Sequence, residues 1–472
     1  MSEPAPLANL IGGEWVDLPD AVTLDVPDPR SGRSIGRVPL SPPSEVDRAV
    51  QAARQAFGKW RDVPVPERAR LILRWARLLE RDAEALAELV VRENGKSLDE
   101  ARASVARGIE ATEFAAHAPT TLQGSFLEQV GRGVDTTVVR QPVGVVVGIT
   151  PFNFPVMIPL WMAPLALVCG NAFILKPSER VPLSADRLAR LAVEAGVPAG
   201  AFNLVHGGRE TVEALLAHPG IDAVSFVGSA PTAETVYRTA AAHGKRVQAL
   251  AGAKNHLIVL ADADLERTVP AVIQSAFGQA GERCLAASVV VAVEPVGDEL
   301  VRRLAEALER FAVAPVIREE HRRRVLDWID RGVAEGARIV ARGPIPADAG
   351  GFFVEPTVLD GVRPEMAVAQ EEIFGPVLSI VRVRSLDEAI DVANRSRYGN
   401  AASIFTASGR AAREFRRRIE AGMLGINISV PAPAAYFPFA GWKRSFYGDL
   451  HASGRDAIEF YTHPKVVVSR WF

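Results

Sequence analysis

At 472 residues the chain is too long for one compact core, so two or three domains are expected. With 48% apolar and 23% charged residues and a net charge of −2, it has the balance of an ordinary globular protein and lacks the clustered basic excess that nucleic-acid binding requires. Its two cysteines, Cys169 and Cys284, offer no disulfide framework, and a reducing, cytoplasmic setting is expected.

The opening MSEPAPLANL has no basic stretch and no apolar core, so no secretory leader is expected. The first forty residues alternate short β-like runs with turns such as Ile11-Gly12-Gly13. From Ser44 to about Ala118, apolar residues recur at spacings of three and four (Leu71, Leu73, Trp75, Leu78, Leu79), which predicts amphipathic helices with a turn at Asn94-Gly95. Between about Thr120 and Arg140 the helical pattern stops and paired strands are expected.

Val143–Ile149, Ala172–Leu175, Phe202–Val205 and Ala223–Val227 read as strands, separated by helical stretches near 156–169, 183–195 and 209–217. Parallel strands need such crossovers, and a doubly wound sheet of this kind binds its ligand at the carboxyl ends of its strands. The most apolar run, Pro155–Cys169, is short and contains Pro159 and Pro164, so it reads as a buried helix and not a membrane span. A second α/β block starts at His256 and continues to about residue 430, with strands Ser288–Val293 and Val377–Val383 and a helix from Asp298 to Phe311. Arg322–Arg324 and Arg416–Arg418 read as solvated helix faces. The tail Phe460–Phe472 reads as a strand that needs a partner, and an uncovered apolar strand predicts oligomerisation.

Cys284 follows a glycine-containing turn and sits beside Arg283, a setting that favours a thiolate; the alternative is a buried small hydrophobe, which is the reading for Cys169. Asn153, in Thr150-Pro-Phe-Asn-Phe-Pro155, stands at a strand's carboxyl end, as a donor to an oxyanion or as a turn asparagine. Lys176 and Glu179 end the next strand and suit a ribose; Glu179 would repel a 2′-phosphate, which favours NAD over NADP. Gly228-Ser229 opens a helix whose free N–H groups suit a pyrophosphate, although no GxGxxG motif is present.

Taken in order, Pro151-Phe-Asn-Phe-Pro155, Lys176-Pro-Ser-Glu179, Phe226-Val-Gly-Ser229, Gly252-Ala-Lys-Asn255, Gly281-Glu-Arg-Cys284 and Glu371-Glu-Ile-Phe-Gly-Pro376 resemble the aldehyde dehydrogenase superfamily along essentially the whole chain. The resemblance implies an α/β fold of two α/β domains with parallel sheets plus a β-strand oligomerisation arm. The cofactor domain would take 1–119 and 141–249, the catalytic domain 250–440, and the arm and C-terminal segment 120–140 and 441–472. It also implies Cys284 as nucleophile, and Asn153 with the Cys284 N–H as oxyanion hole. NAD would be held by Phe152, Lys176, Glu179 and Ser229, with Glu372 and Phe374 at the nicotinamide ribose and ring. No metal is implied, and dimers or tetramers are the family habit.

One departure narrows the reading. Hydrolytic members carry a glutamate where this chain has Leu250, and leucine cannot serve as base for a deacylating water. The CoA-acylating methylmalonate-semialdehyde (malonate-semialdehyde) dehydrogenases also lack it, usually having asparagine there. Arg107 and Arg283 match the arginines that this subfamily uses on the substrate carboxylate. The implied activity is NAD-dependent oxidation of malonate or methylmalonate semialdehyde through a Cys284 thioester, with decarboxylation and transfer to coenzyme A. The alternatives are a hydrolytic aldehyde dehydrogenase giving a free acid, and a non-catalytic NAD-binding or structural protein on the same fold. Two further departures are a connection, Leu308–Ile317, about ten residues shorter than the family's, and Glu282 where the subfamily has glutamine. Glu282 is expected to point away from the thiol.

Overall fold

A computed structural model describes residues 6–347 and 349–472; the first five residues of the segment read above as carrying no leader lie outside them. The first large sheet has eight strands in the order Glu14–Val16, Asn9–Ile11, Phe202–Leu204, Ala172–Lys176, Val145–Ile149, Ala223–Val227, Arg246–Leu250 and Phe446–Tyr447. Its inner strands are parallel, and Val145–Ile149 and Ala172–Lys176 are buried along their whole length. That burial on both faces is why these segments read as continuous apolar runs. Helices Met157–Val168, Pro182–Glu194 and Arg209–Ala217 make the crossovers.

The helices before the sheet follow the expected stripe, with one difference. In Val65–Arg81, Leu71, Trp75 and Leu79 face the core at spacings of four, whereas Leu73 lies outside the stripe and is exposed. Helix Ala83–Asn94 closes on Gly95, which takes the left-handed conformation at φ 85°.

The second sheet has seven strands, in the order Arg338–Arg342, Thr357–Asp360, Val377–Val383, Ala287–Val293, Asn255–Val259, Ala401–Phe405 and Met423–Ile426. All pairings are parallel except that of the first strand, an antiparallel edge. The carboxyl end of Arg246–Leu250 and the start of Asn255–Val259 are joined by Ala251–Lys254, so the chain passes from one sheet to the other beside the segment that bears Cys284.

A third sheet stands apart. Thr462–Arg470 pairs antiparallel with Val134–Pro142 from Thr462↔Pro142 to Arg470↔Val134, and Ser125–Gly131 lies on the other side of Val134–Pro142. The tail therefore finds its partner within the chain, but Phe126, Leu127, Val466, Val468 and Trp471 stay exposed on this three-stranded ribbon. Among the described residues no helix is long and apolar enough to cross a membrane.

Candidate active site

The nucleophile candidate is set by an unusual turn. After helix Leu265–Phe277, Gln279, Ala280 and Gly281 all take positive φ (52°, 52° and 70°). A Cβ on Gly281 would stand 2.3 Å from the Gly375 carbonyl oxygen, so only glycine lets the two segments meet. The turn is fastened from outside itself. The Gln279 N–H donates to Glu100 Oε1 at 2.7 Å, and the Cys284 carbonyl accepts from Asn255 Nδ2 (2.9 Å) and Asn400 Nδ2 (2.8 Å). Two asparagines thereby fix the backbone on which the thiol is carried.

Asn153 is brought to the same turn by the loop that follows Val145–Ile149. It is buried, and its side-chain amide donates to the Glu282 carbonyl at 3.0 Å. An amide nitrogen has two hydrogens, so one remains for an oxygen developing next to Cys284. The Asn153 backbone carbonyl accepts from Gln279 Nε2 (2.6 Å) and Lys96 Nζ (2.9 Å). Lys96, Gln279, Asn255 and Asn400 had no role in the sequence reading. The only available signal was position: Lys96 follows the Asn94-Gly95 turn, Gln279 lies two residues before the Gly281–Cys284 motif, and Asn255 ends the Gly252–Asn255 motif.

The thiol is not the depressed one expected from its neighbours. Burial pushes Cys284 up to about 12, and the nearby Glu372 carboxylate adds to the effect. Arg283 lowers it only in small part, its guanidinium donating to the carbonyls of Gln274 and Ser275, and Cys284 heads no helix. The nucleophile is the thiolate, so alkylation of Cys284 in the cofactor-free protein is expected to accelerate about tenfold per pH unit from pH 7 to 10. Iodoacetamide labelling across that range measures it, and a plateau at neutral pH would contradict the raised value.

One wall beside the thiol is apolar. Leu250, Leu285, Ala401, Met423, Phe439, Phe446 and Ala452 form a buried cluster with Cys284 and Val430 packed against it. The position where a base could stand therefore holds a hydrocarbon side chain, 5% exposed, within that cluster.

Glu372 and Phe374 also come near the Cys284 turn. Glu372 Oε1 accepts the Ala253 N–H at 2.9 Å, and a Cβ on Gly252 would be 2.3 Å from Glu372 Oε2, so the glycine admits the carboxylate. Burial raises Glu372 to about 7. Phe374 takes φ 58°, its carbonyl is 2.7 Å from His321 Nε2, and its ring meets Phe152 edge-on at 5.9 Å. Glu282 turns towards this side: its carboxyl accepts the Ile317 N–H at 3.1 Å and lies 3.5 Å from His321, and burial raises it to about 8.

The residues expected to hold NAD occupy successive strand ends. Lys176 is buried and pairs with Glu179 at 3.3 Å. Burial pushes the Glu179 carboxyl up, but the Lys176 ammonium, a backbone hydrogen bond and the Arg180 guanidinium together outweigh it, and the group sits below its ordinary value. Ser229 is the N-cap residue of Ala230–Ala242 but makes no capping bond to that helix; its hydroxyl meets Thr232 Oγ1 at 2.9 Å. The first-turn N–H groups are thus left for an anion, and this donor set fits a dinucleotide.

Arg107 and Arg283 take different partners. Arg107 pairs with Glu110 at 2.6 Å and donates to the Pro433 carbonyl. Arg283 reaches the Ser275 carbonyl, and the Ser275 hydroxyl donates to the Ser429 carbonyl at 3.1 Å, so Arg107 touches the 429–435 segment directly and Arg283 is linked to it only through Ser275. Arg283 Nε is buried with no hydrogen-bond partner among the described residues.

Comparison with known proteins bears on this arrangement. The aldehyde dehydrogenase family model matches residues 15–467. The chain is 54% identical over 482 residues to malonate-semialdehyde dehydrogenase 2 of Geobacillus thermodenitrificans (strain NG80-2), covering 100% of both. The crystal structure of methylmalonate-semialdehyde dehydrogenase from Oceanimonas doudoroffii superposes with a TM-score of 0.97 at 46% identity, over 99% of this chain and 98% of that one. A Sinorhizobium meliloti 1021 protein assigned as a methylmalonate-semialdehyde dehydrogenase, solved in complex with NAD, gives a TM-score of 0.97 at 42% identity, over 100% of this chain and 99% of that one. The motifs, the fold and the matched length agree, and the chain belongs to the aldehyde dehydrogenase family.

Proposed function

We propose that the protein oxidises malonate or methylmalonate semialdehyde with NAD and passes the acyl group from Cys284 to coenzyme A. The observation that carries the choice of acceptor is Leu250, an apolar side chain in the wall beside the thiol where hydrolytic relatives place a glutamate. The names of the relatives support the choice of substrate.

In this reading the Cys284 thiolate attacks the aldehyde carbon, and the oxyanion rests on the Asn153 amide and the Cys284 N–H. Bound NAD supplies the hydride acceptor. Lys176 and Glu179 hold its adenosine ribose, Ser229 a phosphate, and Glu372, Phe374 and Phe152 the nicotinamide end. Collapse of the oxyanion leaves a thioester on Cys284, whose carbonyl is an electron sink for loss of carbon dioxide from the β-carboxylate. The free Arg283 Nε and the Arg107 guanidinium are the donors for that carboxylate. A coenzyme A thiol then attacks the thioester carbonyl and expels the Cys284 sulfur, giving acetyl-CoA or propionyl-CoA. A thiol depends less than water on a general base, so Leu250 hinders this step far less than hydrolysis.

The same reading assigns 1–119 and 141–249 to the cofactor domain, 250–440 to the catalytic domain, and 120–140 with 441–472 to an arm through which copies assemble as a dimer or tetramer. The exposed apolar residues of the three-stranded ribbon support assembly, and two free thiols support a reducing, cytoplasmic setting.

Purified protein with NAD and malonate semialdehyde is expected to turn over steadily only when coenzyme A is present, yielding acetyl-CoA identified by mass. Equal turnover without coenzyme A, with a free acid as product, would sink the assignment.

A further inference from the structure

Lys96 is a buried ammonium with no place in the reaction scheme above. It is 1% exposed, and its Nζ lies 4.4 Å from the centre of the Phe154 ring. Its hydrogen-bond acceptor is the backbone carbonyl of Asn153, at 2.9 Å. Burying a charged group is costly unless it is paired, and one neutral carbonyl and one ring are modest compensation. Burial accordingly pulls the ammonium down to about 7, with Glu100 and Glu282 resisting.

The geometry around that carbonyl says what the expense supports. Gln279 Nε2 donates to the same Asn153 carbonyl (2.6 Å) and also to the Glu282 carbonyl (3.3 Å), to which the Asn153 side chain itself donates (3.0 Å). One residue earlier, Asn94 Nδ2 donates to the Phe152 carbonyl at 3.1 Å. The turn Asn94–Ser97 therefore props the Phe152-Asn153 backbone against the turn that bears Cys284. We propose that Lys96 is a positioning residue for the oxyanion hole: it fixes the Asn153 backbone so that the side-chain amide is aimed beside Cys284. The proposal rests on the reading of Asn153 as the oxyanion donor.

The test is a double-mutant cycle on the first-turnover burst of NADH, with Lys96→Met, Asn153→Ala and the pair. Lys96→Met is expected to slow the burst roughly 10-fold or more, and adding it to Asn153→Ala is expected to cost little further, because both act through one donor. The rate of Cys284 alkylation by iodoacetamide, a displacement that forms no oxyanion, is expected to change less than about twofold in Lys96→Met. An unchanged burst in Lys96→Met beside a slowed one in Asn153→Ala overturns the proposal, as do fully additive losses. An unchanged burst in Asn153→Ala overturns the oxyanion reading itself, and the proposal with it. Should the methionine variant fail to fold, Lys96→Gln, checked by its thermal midpoint, takes its place in the same cycle.

Discussion

Replacing Leu250 with glutamate is expected to free turnover from coenzyme A, raising the steady rate of NADH formation without it by roughly 10²–10⁴-fold, the range a positioned general base supplies. The expectation follows from the wall around the thiol. Residue 250 ends the strand Arg246–Leu250 and packs with Leu285, Phe439 and Phe446 in the cluster that Cys284 touches. A carboxylate introduced there is desolvated, which raises its pKa towards neutrality and suits it to take a proton from water. The measurement is NADH production with malonate semialdehyde and no coenzyme A, with the product identified by mass. A burst of one NADH per site followed by a stall as deep as in the parent would defeat the argument, since the thioester would then form without being hydrolysed. A lower thermal midpoint is expected as well, because the substitution puts a polar group into an apolar cluster.

Asn153→Ala is expected to slow the NADH burst roughly 10²–10³-fold, the usual loss when one oxyanion donor is removed. Its effect on folding should be small by comparison. The two bonds that tie residue 153 to Lys96 and Gln279 use its backbone carbonyl, which alanine keeps, and only the side-chain bond to the Glu282 carbonyl is lost. A burst rate within a few-fold of the parent, in a protein of unchanged thermal midpoint, would remove Asn153 from the chemistry. A low rate that tracks a collapsed midpoint would instead mark it as structural.

Much of the scaffold was legible because its inner strands are buried on both faces and most of its helices on one, Met157–Val168 being buried nearly all round. Ala223–Val227, Val377–Val383 and the helix Arg209–Ala217 fall where the apolar pattern put them. The candidate site was legible where a residue lies at a strand end or in a motif, as Asn153, Lys176 and Ser229 do. What could not be read was direction. Arg283 is the sequence neighbour of Cys284, yet its guanidinium runs back to the carbonyls of Gln274 and Ser275, and burial, which adjacency does not reveal, outweighs its lowering of the thiol pKa. Nor could pairings across long separations be read. Lys96 meets Asn153 across 57 residues of chain, and Asn400 meets the carbonyl of Cys284 across 116, through contacts that exist only once each unit is folded.

The bond from Glu282 to the Ile317 N–H has a practical bearing on protein engineering. It joins the turn that bears Cys284 to the end of the Leu308–Ile317 connection, the stretch expected from the family resemblance to be short. Loop length and the identity of residue 282 are therefore parts of one joint and not two independent features. A chimera that imports a longer connection from a relative would leave the Glu282 carboxyl, 1% exposed, without its amide donor, and a buried acceptor so stranded costs about 1–3 kcal/mol or more. Segment exchange in this fold should move position 282 together with the loop, with glutamine as the partner for the longer form.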